Sequence, residues 1–463
     1  MTARLPVRPA PGPLEEYAAR FDGLFRARAQ REGFRRYLEG ILLPAERNKT
    51  LTALANTEPV AGAQRKEAQS LQWFLSESGW NPEEVNERRL ELLFEDPATA
   101  ANERGVLVID EHGDRKWGKK TAHVGRQWLA NIGKTDSGVV SVSSLLADEE
   151  AYYPLEIEPY TPAHHFEGGK NDPGFRTKLK IACQLVKRSV EIDVPFRAVV
   201  ADSFYGEDRG FKRSLGELGV GYVLSLKKSH CWWHVKGTIG ALWEAALAAS
   251  EAWKDAEEPG EWTKVIRTFR DGHRESWWAL EVEAGPYGKE RAKRALVVTT
   301  NPERLPELGT WYLTTNLPAP GDRSERATGG DLHPASVSEV VRLYGLRMWV
   351  EQSYKQVKHA LGFSDYQVRS DHAIRRHWQL VFCAFSFCWW AHGCLPTSPD
   401  ESAEQPEDDL PAGSAARGKK ETPGVLAGGP EGGKGVVGAV GYAVALLESV
   451  LRSAPAEGAR SAA

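Results

Sequence analysis

Two short apolar runs, each closed by an aspartate, constrain this chain most. Val106-Leu107-Val108-Ile109 leads into Asp110, and Phe196-Arg197-Ala198-Val199-Val200-Ala201 leads into Asp202. Such runs, rich in valine and without polar alternation, read as buried strands of a sheet covered on both faces. A strand end is where a side chain leaves the core for a cleft, and on a mixed β/α sheet two such strands can lie side by side and present both carboxylates together. Taken singly, each aspartate is more simply read as the cap of the following turn.

The rest of the chain divides by texture. Residues 13–95 keep a helical period, with Leu14, Tyr17, Phe21, Leu24 and Phe25 and then Leu71, Phe74 and Leu75 at three- and four-residue spacing. The pattern changes at Gly105. Strand-like stretches follow near 121–130, 137–146 and 151–158, then a helix over 175–190 and, after Asp202, a helix over 208–218 and a strand over 220–226. Residues 227–335 hold eight of the sixteen tryptophans, with strand-like runs near 263–270, 275–283, 293–300 and 310–316. Helical period resumes from Ser336 to about Leu361 and from Ala373 to His392. The expected organisation is an all-α N-terminal domain (1–98), an α/β core in two pieces (99–226 and 336–395) split by a β-rich insertion (227–335), and a disordered tail (396–463) rich in Pro, Gly and acid.

Bulk charge does not advertise a nucleic-acid partner, since the net charge is −4, so any such reading needs local clusters. The five cysteines form no C-x-x-C pair, which argues against a disulfide framework or a zinc site and fits a reducing cytosol. The N-terminus has no apolar stretch suited to a signal peptide. The apolar segment Trp378 to Leu395 approaches membrane-spanning length but contains Gln379, Ser386, His392 and Gly393, and it is expected to be a buried core helix.

The helix expected over 336–361 supplies a third element. At about 100° per residue, Tyr344, Arg347, Glu351 and Lys358 project within one arc of about 60°, beside an aliphatic stripe of Leu343, Leu346, Val350, Val357 and Leu361. A solvated face with an Arg347–Glu351 pair would account for the spacing alone. It would not account for two strand-end aspartates in the same chain, nor for seven Lys/Arg against three acids in residues 341–378.

The string Tyr344-Gly-Leu-Arg347-Met-Trp-Val-Glu351-Gln-Ser-Tyr-Lys-Gln-Val-Lys358 matches the Tyr-Arg-Glu-Lys (YREK) signature of bacterial insertion-sequence transposases. The chain resembles the DDE enzymes of the insertion-sequence four superfamily, and its seven-oh-one branch most. Val106 to Gly113 resembles that branch's first-aspartate motif, and Val199 to Gly206 its second, Ala-Asp-x-x-Tyr-Gly; Trp311-Tyr312-Leu313 to Asn316-Leu317-Pro318 resembles the strand before the signature helix. Similarity runs from about Tyr37 to His392. His112 stands where the branch usually has Thr, and the acid-rich tail stands where a basic helix is usual.

The resemblance implies a ribonuclease-H-like fold with Asp110 on the first strand, Asp202 on the fourth and Glu351 on the late helix. These three would hold two magnesium ions, with manganese substituting, for cleavage and transfer of DNA strands in cut-and-paste transposition. Hard oxygen ligands favour such ions, and a pair about 3.5–4 Å apart can stabilise both attacking and leaving oxygens. Arg347, Lys358 and Tyr344 would face phosphate. The expected partners are double-stranded DNA, as terminal inverted repeats and target, and a second copy of the chain in the DNA complex; the expected setting is the bacterial cytoplasm and nucleoid. The N-terminal helices would bind DNA. Two further sets of residues are candidate DNA contacts: Lys119 and Lys120, which otherwise tip a solvated hairpin, and Trp232 and Trp233, which otherwise pack in a core. Two alternatives stand beside this reading: a decayed or domesticated copy that only binds DNA ends, and a two-metal nuclease without strand transfer. Gly428 to Lys434 lacks the Ser/Thr of a phosphate-binding loop, and neither His164-His165 nor Cys231-x-x-His234 completes a zinc site.

Overall fold

A computed structural model describes residues 5–43, 48–56, 64–235, 238–268, 274–282, 294–305, 309–321, 332–347, 350–351, 357–358 and 360–394. The N-terminal part contains helices α1 (Pro13–Ala19), α2 (Arg28–Leu42), α3 (Leu51–Leu54), α4 (Lys66–Ser76) and α5 (Pro82–Glu95). Strands β1 (Val106–Arg115), β2 (Gly125–Leu129), β3 (Lys134–Ala147) and β4 (Tyr152–Tyr160) follow, then α6 (Lys178–Glu191), β5 (Ala198–Ala201), α7 (Ser203–Gly206), α8 (Arg209–Glu217) and β6 (Tyr222–Leu226).

The sheet runs β4-β3-β1-β5-β6, antiparallel between β1, β3 and β4 and parallel between β1, β5 and β6. This order is consistent with a ribonuclease-H-like domain. Burial explains the central strands: Val106 to Ile109 and Ala198 to Ala201 are all fully enclosed. With α6 packed over β3 and β4 on one face and α10 (Val337–Gly345) against β5 and β6, these strands meet no water on either side.

The segment after β6 continues the same sheet. A two-stranded ladder, β7 (Cys231–Val235) with β8 (Thr238–Ala241), precedes α9 (Leu242–Ser250). Strands β9 (Thr263–Thr268), β10 (Arg274–Val282), β11 (Arg294–Thr299) and β12 (Thr310–Thr315) then extend it in the order β6-β12-β11-β10-β9. Their tryptophan-rich texture has a local cause, a cluster of Leu242, Ala246, Trp262, Trp278 and Tyr312 under α9, separate from the main core.

The last described helix, α11 (Asp371–Cys394), is enclosed by α1, α2, α4, α5 and β4. Two of its polar side chains are tied to the N-terminal part: Arg376 donates to the Leu75 and Trp80 carbonyls, and Ser386 accepts from the buried Arg89. Among the described residues no helix is long and apolar enough to cross a membrane. The tail from residue 395, with Gly428 to Lys434, lies outside the described residues.

Candidate active site

Asp110 and Asp202 meet because β1 and β5 pair in parallel up to Ile109↔Ala201, so that the next residue on each strand is the aspartate. The expectation that Asp110 closes its strand needs correction. β1 runs on to Arg115, paired with β3 as far as Arg115↔Gly138. What ends at Ile109 is the parallel pairing, and the cleft opens where β5 stops. Asp202 leaves β5 as the N-cap of α7, its Oδ1 accepting from the Phe204 amide at 2.9 Å. A carboxylate has lone pairs beyond that one bond, so capping and ligation are compatible.

Strand alternation separates the acids of β1. Asp110 faces the α10 side. Glu111 faces α6, where Lys178 Nζ donates to its Oε2 at 2.5 Å and the Tyr205 hydroxyl lies 3.5 Å from its Oε1. Glu111, Lys178 and Tyr205 were not among the expected site residues. The signal for Glu111 was its place in an alternating strand, one residue from the catalytic candidate; its link to Lys178 has no local trace in the sequence.

The continuous helix expected over 336–361 is also corrected. Helix α10, capped by Ser336 at the Glu339 amide, ends at Gly345. Arg347 and Val350 donate to Tyr344 and Arg347 carbonyls, three residues back, and helical conformation recurs at Val350–Glu351. The calculated arc therefore does not carry through from Tyr344 to Lys358. The aliphatic stripe nevertheless holds, as Leu343, Leu346, Val350, Val357 and Leu361 are all buried.

The turn brings Arg347 into the cleft. Its Nη2 stands 3.7 Å from Asp110 Oδ1 and its Nη1 3.9 Å from Glu351 Oε1. Its buried Nε has no hydrogen-bond partner among the described residues, so the guanidinium has a donor to spare. Glu351 is 76% exposed at the mouth, whereas Asp110 is 18% exposed. Burial pushes the Asp110 carboxyl up to about 6, with Arg347 opposing and Asp202 and Glu111 adding to the rise. Burial likewise raises Glu111 against the pull of Lys178. Burial also acts against the Arg347 charge, but Asp110, Tyr344, Asp202 and Glu351 outweigh it and raise its pKa. Burial lowers Lys358 despite the nearby Asp114 and Asp110, and burial raises Tyr344.

The donor set suits a hard divalent cation: carboxylates only, with negative charge in excess of the one guanidinium between them. Asp110 and Asp202 could hold such an ion from opposite strands. Glu351 is not drawn in with them, and among the described residues no three His, Cys, Asp or Glu side chains cluster closely enough to hold a metal ion. His164 and His165 pack ring to ring, and Cys183, Cys383 and Cys388 are free thiols.

A buried tier flanks Asp110. His112 bonds Asp114 at 2.7 Å, and Asp114 also accepts from Ser364. Lys116 donates to the Ser364 and Tyr366 carbonyls at 2.9 and 3.3 Å. These contacts fasten the extension of β1 to the chain just beyond Lys358. Lys119 and Lys120 are exposed in the loop after β1. Trp232 and Trp233 lie on β7, their side chains outside the described part.

Residues 20–275 match a family model described as DDE superfamily endonuclease, and residues 172–387 match one described as transposase DDE domain. The chain is also 31% identical over 364 residues to a protein of Microchaete diplosiphon described as a probable transposase for insertion sequence element IS701. That alignment covers 78% of this chain and 83% of the relative. Together the two family matches span both aspartates and the α10 turn, and the chain belongs to the DDE superfamily of transposases.

Proposed function

We propose that this transposase cuts and joins DNA with two magnesium or manganese ions held by Asp110, Asp202 and Glu351, moving an insertion sequence by a cut-and-paste route. The observation that carries the reading is the register Ile109↔Ala201, which sets the two aspartates side by side with Arg347 3.7 Å from one of them. Bound ions would supply Lewis-acid stabilisation of the attacking and leaving oxygens of the phosphodiester. The residues do the rest. Asp110 and Asp202 would offer oxygen ligands from two paired strands, and Glu351, exposed at the mouth beside Arg347, would complete the set. Arg347 and Lys358 balance phosphate charge, Arg347 with the Nε donor it has to spare. Tyr344, Lys119, Lys120, Trp232 and Trp233 are further DNA contacts in this reading. Two copies of the chain bring the two terminal inverted repeats together with target DNA in the bacterial cytoplasm.

The test uses a duplex carrying the terminal sequence that flanks the gene. Asp110→Asn, Asp202→Asn and Glu351→Gln should each abolish nicking in magnesium while shifting the same duplex in a gel. Nicking by any of the three removes that residue from the set. A wild-type chain that shifts DNA in magnesium and manganese but never nicks it is a DNA-binding protein only.

A further inference from the structure

Between Arg115 and Gly138 the chain carries six Lys/Arg and a single acid, Asp136, which leaves this stretch at +5 in a chain of net −4. Folding concentrates the charge. Lys116 turns inward, but Arg115, Lys119, Lys120, Arg126 and Lys134 all remain exposed around the end of β1 and the β2–β3 hairpin. Asp136 is surrounded by cations, with Arg115 at 3.0 Å and Lys134 at 3.8 Å. The Ser137 amide, Arg115, Lys134 and Arg126 together hold its carboxyl below the usual range. One acid is too few for these cations.

Two tryptophans share the surface. Trp117 is 84% exposed with the Arg115 guanidinium stacked 4.0 Å from its ring centre, and Trp128 is 58% exposed on β2. Lysine and arginine on an edge strand are a common guard against edge-to-edge pairing, which would account for Arg126 and Lys134. It does not account for bare indoles beside them. Cations interleaved with exposed aromatic rings suit the phosphates and bases of a nucleic acid.

Register fixes where this surface points. On β3, Ser143 pairs with Asp110, Ser137 with Arg126 and Thr135 with Trp128. All three β3 positions are odd, so Asp110, Arg126 and Trp128 emerge on one face of the sheet. They are separated by six and eight residues of β3, or about 20 and 27 Å at ~3.4 Å per residue. Base pairs along duplex DNA repeat at about the same 3.4 Å.

We propose that the β2–β3 tip, with Arg126 and Trp128 at its centre, grips the backbone of duplex DNA about six to eight base pairs from the scissile bond. The inference rests on Asp110 marking the cut. The duplex is either the element's own end or the DNA beyond the cut, and the test separates them.

Affinity is measured against salt for wild type and for Arg126→Ala, on duplexes with long arms and on duplexes shortened to four base pairs on one side of the cut or the other. Losing one phosphate contact should flatten the plot of log K against log [salt] by about 0.9. Trp128→Ala should weaken long-arm binding without changing the salt slope, because an indole packed on the sugars of the duplex backbone carries no charge. Both differences should vanish when one particular arm is shortened, and that arm identifies the DNA held. Equal melting temperatures of the variants and wild type exclude misfolding as the cause, and an unstable Arg126→Ala is replaced by Arg126→Gln. Equal slopes in a chain that nicks DNA overturn the tip, as does a difference that survives both shortenings. A wild-type chain that never nicks overturns the catalytic assignment from which the distance is counted, while a persisting slope difference still places DNA on the tip.

Discussion

Asp110 is flanked by Glu111 in sequence and Asp202 in space; Arg347 stands 3.7 Å from it, while Lys178 answers Glu111. Burial, with Asp202 and Glu111 adding to it, holds the Asp110 carboxyl up to about 6, and a bound divalent ion would favour its ionised form. Away from the cleft, His377 on α11 shows the same physics in a structural role. Its Nε2 faces the Gly362 and Phe363 carbonyls at 3.1 and 3.2 Å, which can only accept, so Nε2 carries the proton and Nδ1 accepts from the Tyr37 hydroxyl at 2.9 Å. Burial pushes its pKa down from 6.5 to about 4, helped by Lys116. The unfolded chain therefore takes up a proton near pH 6.5 that the folded chain refuses until about pH 4. Stability is fully present above 6.5 and falls through this interval, by about 3 kcal/mol at most. Urea midpoints at pH 7 and pH 4.5 should show a clearly smaller loss for His377→Gln than for wild type; parallel losses would mean that His377 is not the group titrating.

At the scale of elements, α7 shows how a short motif is written by packing. Asp202 caps it, Tyr205 is buried with its hydroxyl toward Glu111, and Gly206 lies against β6. A Cβ on Gly206 would collide with the Ser225 carbonyl oxygen, a backbone atom that cannot swing aside. Gly206→Ala should therefore push α7 off β6, at about 1–3 kcal/mol, and drag Asp202 from its place beside Asp110. Thermal melting and nicking should both fall; a variant that nicks normally at an unchanged melting temperature would show that the sheet accommodates the methyl. Helix α10 teaches the converse. Its apolar stripe was readable through Leu361, because burial follows the average period. The break after Gly345 was not, because a single turn at Leu346–Arg347 barely disturbs that average.

Across the whole molecule, the N-terminal helices do not keep a core to themselves. One continuous cluster runs from Leu14 and Phe34 through Trp378 and Phe385 on α11 to Val106 and Val199 in the sheet. Tyr17 packs on Phe387 and Trp390, and Arg89 reaches Ser386 and the Leu155 carbonyl. A chain lacking residues 1–98 would bare one side of α11 and strand its hydrogen bonds. It should lose cooperative thermal melting and be digested rapidly by trypsin, and a shortened chain that still melts cooperatively would mean that the cores are separable.

What the sequence determined by itself was local: that Val106–Ile109 and Ala198–Ala201 are buried strands, each followed directly by an aspartate, and that α11 is a core helix. Each follows from residue type and period within a few positions, and motif resemblance named Glu351 in the same local way. Tertiary structure alone decided the pairings. Whether Asp110 meets Asp202 depends on a register that pairs residues 92 apart, whether Glu111 meets Lys178 depends on which face α6 covers, and whether Arg126 shares a face with Asp110 depends on β3 pairing with both strands. Strand pairing is set by backbone hydrogen bonds and by the fit of a whole sheet against its helices, and neither leaves a mark on the neighbouring letters of the chain.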